Sequence, residues 1–475
     1  MSAKRAARLF AAVLAILGAG LVVSCGDGNT KVAGIDGGGV ALGAVTGFGS
    51  VFVNGIEYRT SSAQITINGQ PGTESQLRVG QVVSIEGTID SRRTSGDAMT
   101  VSFDDNVTGP IVSINLAAGS LVVLGQTVRT DGTTTFDNSS IQPAELATLR
   151  TADIVAVSGF VDSTGAVVAT RIERRSGGGV EVNGVVANLD TNVKTFQLNA
   201  LIVDYSAAQL SNGAPTSGAC VEVKGDSAGF SGGVLNATRV EVKSCQQAAA
   251  TGDVGEIEGL VTGFRSASDF DVAGRRVLTT GTTQFDGGSA ANLALNVKVE
   301  VEGTFDTAGT LVASRVKIKQ ASELRVKGTI DSLTAASKTL MVFGISIATD
   351  SGTRFEDDSS QNASPFNFSS LRTGDYVEVR GFASAAVNSM TATILERRNP
   401  GTAELRGVAA NLAPPAFTVL GVSVVTDAGT IFKDASGNPI TSAAFFASAN
   451  GRLVEVGGTW NGSNFTATNV ELKNP

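Results

Sequence analysis

The side chains best placed for chemistry are carboxylates and arginines that recur at fixed places along the chain. Glu222, Glu300, Glu378 and Glu455 share one position of a recurring strand, and Arg171, Arg239 and Arg315 share one position of the strand after it. A carboxylate beside a guanidinium could serve as a general acid or base with a clamp for an anionic substrate. Repetition argues against that use, because a catalytic pair is not expected in several equivalent copies. Facing charges across a hairpin predict surface ion pairs instead. The sequence of 475 residues contains no histidine. This removes the commonest general base, the commonest metal ligand and every nucleophile–histidine pair. The chain therefore reads as a non-enzyme without a cofactor, and a hydrolase working with carboxylates alone is the remaining catalytic alternative.

Three further kinds of feature bear on chemistry. GAVTGFGSVFVNG (43–55) carries the glycine-rich TGFGS, which could cradle a phosphate or simply turn the chain between strands. It lacks the GK[ST] ending of a P-loop, no helix pattern follows it, and the matching links elsewhere do not keep its glycines, so it is predicted to be a hairpin loop. Acidic runs occur in FDNSS (136–140), FEDDSSQN (355–362) and FKDASGNP (432–439). Asp, Ser and Asn form turns there, and no spacing matches a calcium loop. No metal is expected; Glu356, Asp357 and Asp358 come nearest to a ligand set. Cys220 opens one arm of a hairpin and Cys245 closes the other, so a structural disulfide at the hairpin base is predicted, with two free thiols as the alternative.

These residues sit in an acidic, glycine-rich chain. Lys and Arg number 36 against 44 Asp and Glu, a formal charge of −8, with 57 Gly and only 10 Pro. Acidity disfavours a nucleic-acid partner. The balance suits short strands and tight turns, and the length exceeds one hydrophobic core. Aromatic platforms for bases or sugars are scarce: three Tyr (Tyr58, Tyr205, Tyr376) and Trp460. Phe196, Phe270 and Phe417 fall on alternating strand positions expected to be core, whereas the loop residues Phe48 and Phe230 could touch a partner.

The elements that must position all of these repeat. A glycine followed by an apolar strand recurs at Gly43, Gly109, Gly184, Gly259, Gly328 and Gly407. A second element follows in each copy, as in SVFVNGIEY (50–58), LVVLGQTV (121–128) and LMVFGISI (340–347), with an internal glycine in five of six copies (Ala200 in the third) that suggests a bulge or sharp bend. A third strand is marked by TTFD, TQFD, TRFE and TIFK. A variable link then leads to a final hairpin, as in YVEVRG with ATILE. Three strands, a link and two strands is the order of an OB-type Greek-key barrel. The predicted architecture is all-β, six tandem OB-like five-stranded barrels, with six small β-sandwiches as runner-up. Closed barrels hide their edges, so the copies are expected to sit in series without pairing.

VTGFGSVFVNGIEY, LRVGQVVSIEG and GPIVSI resemble the bacterial domain-of-unknown-function family 5666, most closely in copies one and two. The resemblance implies tandem barrels in an envelope lipoprotein and brings no catalytic residues. The first segment agrees: Lys4, Arg5 and Arg8 precede an apolar run from Leu9 to Val23, and Val22-Val23-Ser24-Cys25 resembles the lipobox of bacterial lipoproteins, with Cys25 the lipidated residue. Gly26 after the cysteine implies outer-membrane placement, facing periplasm or cell exterior. The predicted organisation is a signal peptide (1–24), a flexible tether (25–41), and repeats at 42–105, 106–177, 178–248, 249–320, 321–399 and 400–475. Functionally this predicts a lipid-anchored scaffold or binding protein that meets a protein or polysaccharide, or alternatively an oligosaccharide- or small-ligand-binding surface lipoprotein.

Overall fold

Strict alternation of buried and half-exposed residues, as in Val82–Ile89, gives strands with one face toward a core. The computed structural model describes residues 37–319, 324–384, 386 and 388–473, and almost all regular structure in them is β. Cys25, the signal segment and tether residues 25–36 lie outside the described residues. Gly37–Gly47 is already the first strand of the first barrel, so the last five tether residues, 37–41, belong to the fold.

Barrel two shows the plan. Its first strand (Val107–Asn115) pairs with the second (Ser120–Val123), and the second with the third (Gln126–Arg129), all antiparallel. The third runs parallel to the fifth (Val167–Arg174), which pairs with the fourth (Ile154–Val161), and the fourth closes on the first. The order 1-2-3-5-4-1 is that of an OB-type barrel. All six copies close in this way, so the sandwich alternative is not what the chain adopts.

The glycines play different parts from those expected. The second element is two strands joined by a two-residue turn. In Asn54-Gly55, Leu124-Gly125 and Phe343-Gly344 both residues have positive φ, the requirement of a type I′ hairpin. The side chain at the first turn position folds over the first strand, and this explains the recurring first-strand glycine: a Cβ on Gly328 would lie 2.1 Å from the Phe343 ring. The bulge lies instead in the fifth strand, opposite a glycine of the fourth, with Thr393 the extra residue in barrel five. Register slips between Arg380 and Gly381, where an added Cβ would approach Thr391 O to 1.9 Å. That kink curls the sheet into a small cylinder. The TTFD-type segment is the outer piece of a broken third strand, Thr135–Phe136 in barrel two and continuous within Arg275–Asp286 in barrel four. TGFGS is a turn linking the first and second strands, as predicted.

The barrels do pair with one another. Each of the three sheets spans two copies: one with four, two with three, and five with six. First strands carry the joins, antiparallel in the second and third pairs (Val182↔Val107, Val326↔Leu405) and parallel in the first (Ala41↔Glu256). Closure needs only the fourth-strand edge and part of the second, so the far end of each first strand keeps unpaired backbone groups that a neighbouring copy satisfies. Phe196, Phe270 and Phe417 are core residues, each at most 1% exposed.

Candidate functional site at the junction of barrels one, two, four and five

The repeated charges are not surface pairs. Glu222, Glu300 and Glu378 are buried, and Arg171, only 2% exposed, is among the most buried large side chains. They occupy the outer faces of the barrels, which would be wet on an isolated copy and are covered here by a neighbour. Glu455, Arg239 and Arg315 are half-buried. The expected Glu–Arg facing is also out of register. Arg315 meets Glu302 at 3.3 Å and Asp286 at 3.1 Å, Arg239 meets Glu241 at 2.7 Å, and Glu222 is held by Lys224 at 2.7 Å and Lys243 at 2.5 Å.

Arg171 is a joint between three barrels. From barrel two its guanidinium reaches Asp137 at 2.8 Å and Glu173 at 2.5 Å in its own barrel, Val79 O of barrel one at 3.1 Å, and Glu356 of barrel five at 3.1 Å. Burial opposes its charge, but Glu356, Glu173 and Asp137 outweigh that and raise its pKa. Removing one partner of such a group strands the others without water.

Of the nearest candidates for metal ligation, Asp357 is turned by the pleat away from Glu356 and Asp358, and each of the three is engaged by an arginine. Glu356 faces Arg171, Asp357 turns to Arg397 (Nε at 3.0 Å) and the Ala363 backbone N–H at 2.6 Å, and Asp358 pairs with Arg398 at 3.1 Å. Burial and the neighbouring Glu356 and Glu396 push Asp358 up to about 8. Among the described residues, three carboxylates gather within 4.8 Å only at Asp104, Glu181 and Glu222, where Lys224 and Lys243 already supply the positive charge.

Cys220 and Cys245 form the predicted disulfide, their Cα atoms 5.2 Å apart. The possible aromatic platforms are used in packing. Tyr58 and Tyr205 are buried, the Tyr376 hydroxyl donates to Thr402 O at 2.5 Å, and Trp460 lies 5.6 Å from the Phe343 ring. Phe48 and Phe230 pack against the cores of their own barrels and do not stand free in loops.

A cavity of about 150 Å³ opens where barrels one, two, four and five meet. Ala44, Thr133 and Phe382 contribute to its wall, and its charged groups are Glu258, Lys298, Glu300, Lys317, Lys319, Asp350 and Arg354. Glu258 of barrel four accepts from the Ala44 N–H of barrel one at 3.1 Å and pairs with Lys298 at 3.0 Å. Burial works against that carboxylate, yet Lys298 and Lys319 hold it down at about 2. The Lys298 ammonium also sits 4.8 Å from the Phe160 ring of barrel two. Arg354 of barrel five donates to Thr133 O at 2.5 Å and Thr170 O at 3.2 Å of barrel two. Sequence reasoning passed over Arg354 and Glu258. The one available signal was a charge at the TRFE position where other copies hold Thr135, Gln284 or Ile431.

No curated protein matches the chain. A family model described as a domain of unknown function (DUF5666) matches residues 108–173, 258–317, 327–396 and 406–471, together more than half of the chain. These are barrels two, four, five and six; copy one, whose residues carried much of the resemblance, and copy three fall outside the matches although both close in the same strand order. The chain is a tandem-repeat member of the DUF5666 family.

Proposed function

We propose that this protein is a lipid-anchored scaffold or binding protein of the bacterial outer membrane, held by Cys25 and performing no catalysis. The observation that carries the reading is the use of the buried charges: Arg171, Lys243, Glu258 and Arg354 reach from one barrel to another, so six copies make one body that offers many loops at fixed spacing. A body of linked loops suits repeated weak contacts with a protein or polysaccharide, which gain from multiplicity without one tight site. Acidity speaks against nucleic acid. The disulfide fits an exported chain in an oxidising compartment, and the charged flank, apolar run and Cys25 fit lipidation.

The test is fractionation of cells carrying the full chain and its Cys25→Ser variant. The wild type sediments with outer membranes and the variant is recovered in soluble form; co-sedimentation of both overturns the anchor. Small-angle scattering of the soluble variant then gives the dimensions of one folded body, and an extended string of beads overturns the scaffold.

The small-ligand alternative is favoured by one observation, the cavity at the four-barrel junction.

A further inference from the structure

We propose that the cavity between barrels one, two, four and five is a binding site for a small oxyanion, phosphate or carboxylate, with Lys317 and Arg354 supplying the charge that receives it. The proposal goes beyond the scaffold reading and does not depend on it.

The argument starts from an inventory of charge. Four cations line the cavity, Lys298, Lys317, Lys319 and Arg354, against three acids, Glu258, Glu300 and Asp350. Glu258 is paired with Lys298 at 3.0 Å and Glu300 with Lys319, while Asp350 accepts from the Gly352 N–H of its own turn at 2.8 Å and keeps its charge. Two cations stand outside an ion pair against that one acid, so the lining carries one net positive charge. Among the described residues Lys317 makes no ion pair, and Arg354, 5% exposed, has backbone carbonyls as its hydrogen-bond partners and no carboxylate within ion-pair reach. A guanidinium taken out of water without a counter-charge is unfavourable, and an anion entering the cavity would relieve it.

Geometry brings the cations to one opening. Lys317 and Lys319 lie two apart on the fifth strand of barrel four (Leu311–Ile318 and the residue beyond), so both leave the same face. A Cβ placed on Gly352 would lie 3.9 Å from the Lys317 amine and 3.8 Å from that of Lys319. The absence of a side chain at Gly352 leaves this space open between the amines and the Asp350 carboxylate, whose Oδ1 would lie 3.3 Å from the same Cβ. Two of the five N–H groups of Arg354 are placed on carbonyls, which orients the planar fork and leaves others for a ligand. The volume exceeds what a single water fills. Walls from four barrels limit the occupant to a small molecule, and the apolar surface of Ala44, Ile318 and Phe382 strengthens any charge interaction inside.

The experiment uses the full chain carrying Cys25→Ser, titrated by calorimetry and thermal shift with inorganic phosphate and, separately, acetate, against sodium chloride at matched ionic strength. Saturable stabilisation by phosphate, by acetate or by both, exceeding the chloride control, is expected; which of the two acts assigns the ligand as a phosphate or a carboxylate. Lys317→Gln should weaken the apparent affinity about tenfold while leaving the melting temperature without anion unchanged, and Lys317→Arg should restore most of it. Arg354 clasps barrel two and its loss could disturb the fold, so Lys317 is the deciding position. Equal shifts by all three salts, or undiminished binding by Lys317→Gln, overturn the proposal.

Discussion

Barrels five and six are joined differently from barrels one and four. The former share one apolar core, with Phe343 of barrel five set 5.5 Å from the Phe465 ring of barrel six, and barrels two and three likewise share a core. Barrels one and four keep distinct cores that touch only at the edge, where Val40 of barrel one packs into that of barrel four and Ala44, Phe160 and Leu260 form a small cluster between barrels one, two and four. They are joined by a parallel backbone ladder from Gly39↔Val254 to Leu42↔Ile257 and by Arg93, which reaches from a hairpin of barrel one to Glu256 and Glu302 of barrel four. Barrels two with three and five with six add a continuous apolar core to their strand pairing, whereas barrels one and four rely on the ladder and a buried ion pair with little shared core. The difference is one of physical mechanism, since apolar contact is non-directional whereas a ladder and an ion pair specify one register. A long-range pairing between copies of one fold needs that specification to avoid the wrong partner.

The comparison is broken most severely by Phe343→Ala, which opens a hole in the shared core at a residue only 4% exposed. A loss of about 3–5 kcal/mol is expected. Hydrogen exchange should accelerate in barrels five and six together; acceleration confined to barrel five would show that the two cores are independent.

Reduction of Cys220–Cys245, which closes a loop of sequence separation 25, comes next. Its removal should lower the stability of barrel three by about 3 kcal/mol. Denaturation with and without reductant checks this. An equal loss in a Cys220→Ser/Cys245→Ser chain on adding reductant would point away from the disulfide.

Arg93→Met acts on the other kind of joint. It leaves Glu256, itself 2% exposed, without its cation. The expected loss is about 2 kcal/mol at pH 8, below the range for fully buried pairs because Arg93 is partly exposed. Exchange should rise at residues 39–42 and 254–257 while both cores stay protected. Adding Glu256→Gln should recover most of the loss, and a double variant no better than the single one would refute the assignment.

The mildest perturbation is pH. Burial, opposed by Arg93 and reinforced by Glu302, pushes Glu256 up to about 8; burial and Glu222 push Glu181 up to about 7. Acids raised above their unfolded values support the fold fully below about pH 4.5, and that support is lost as pH rises through 7 to 8. Glu258 and Glu378 are held at about 2 against burial, by Lys298 and Arg380 respectively, so their support is present above about pH 4.5 and disappears toward pH 2. Melting temperature should therefore peak in mildly acidic buffer. Glu256→Gln should flatten the alkaline limb, and an unchanged limb would remove Glu256 as its cause.

Much of a single barrel was legible. Alternation placed Phe196, Phe270 and Phe417 in the core, the link-and-hairpin order led to the closed five-stranded sheet, and the hairpin spacing led to the disulfide. The role of the internal glycines was misplaced because Leu124-Gly125 and Phe343-Gly344 do not look like turns; bulky residues rarely take positive φ, and these do so because the side chain must cover a first-strand glycine.

Short-range pattern thus determined the repeat, its core and its turns, since each depends on neighbours within one copy. Which copies pair, why Arg171 and Glu258 are buried, and where four outer faces enclose a cavity were decided only by tertiary structure. A charge on the outside of a small barrel looks solvated in sequence, and only the arrival of another barrel takes its water away.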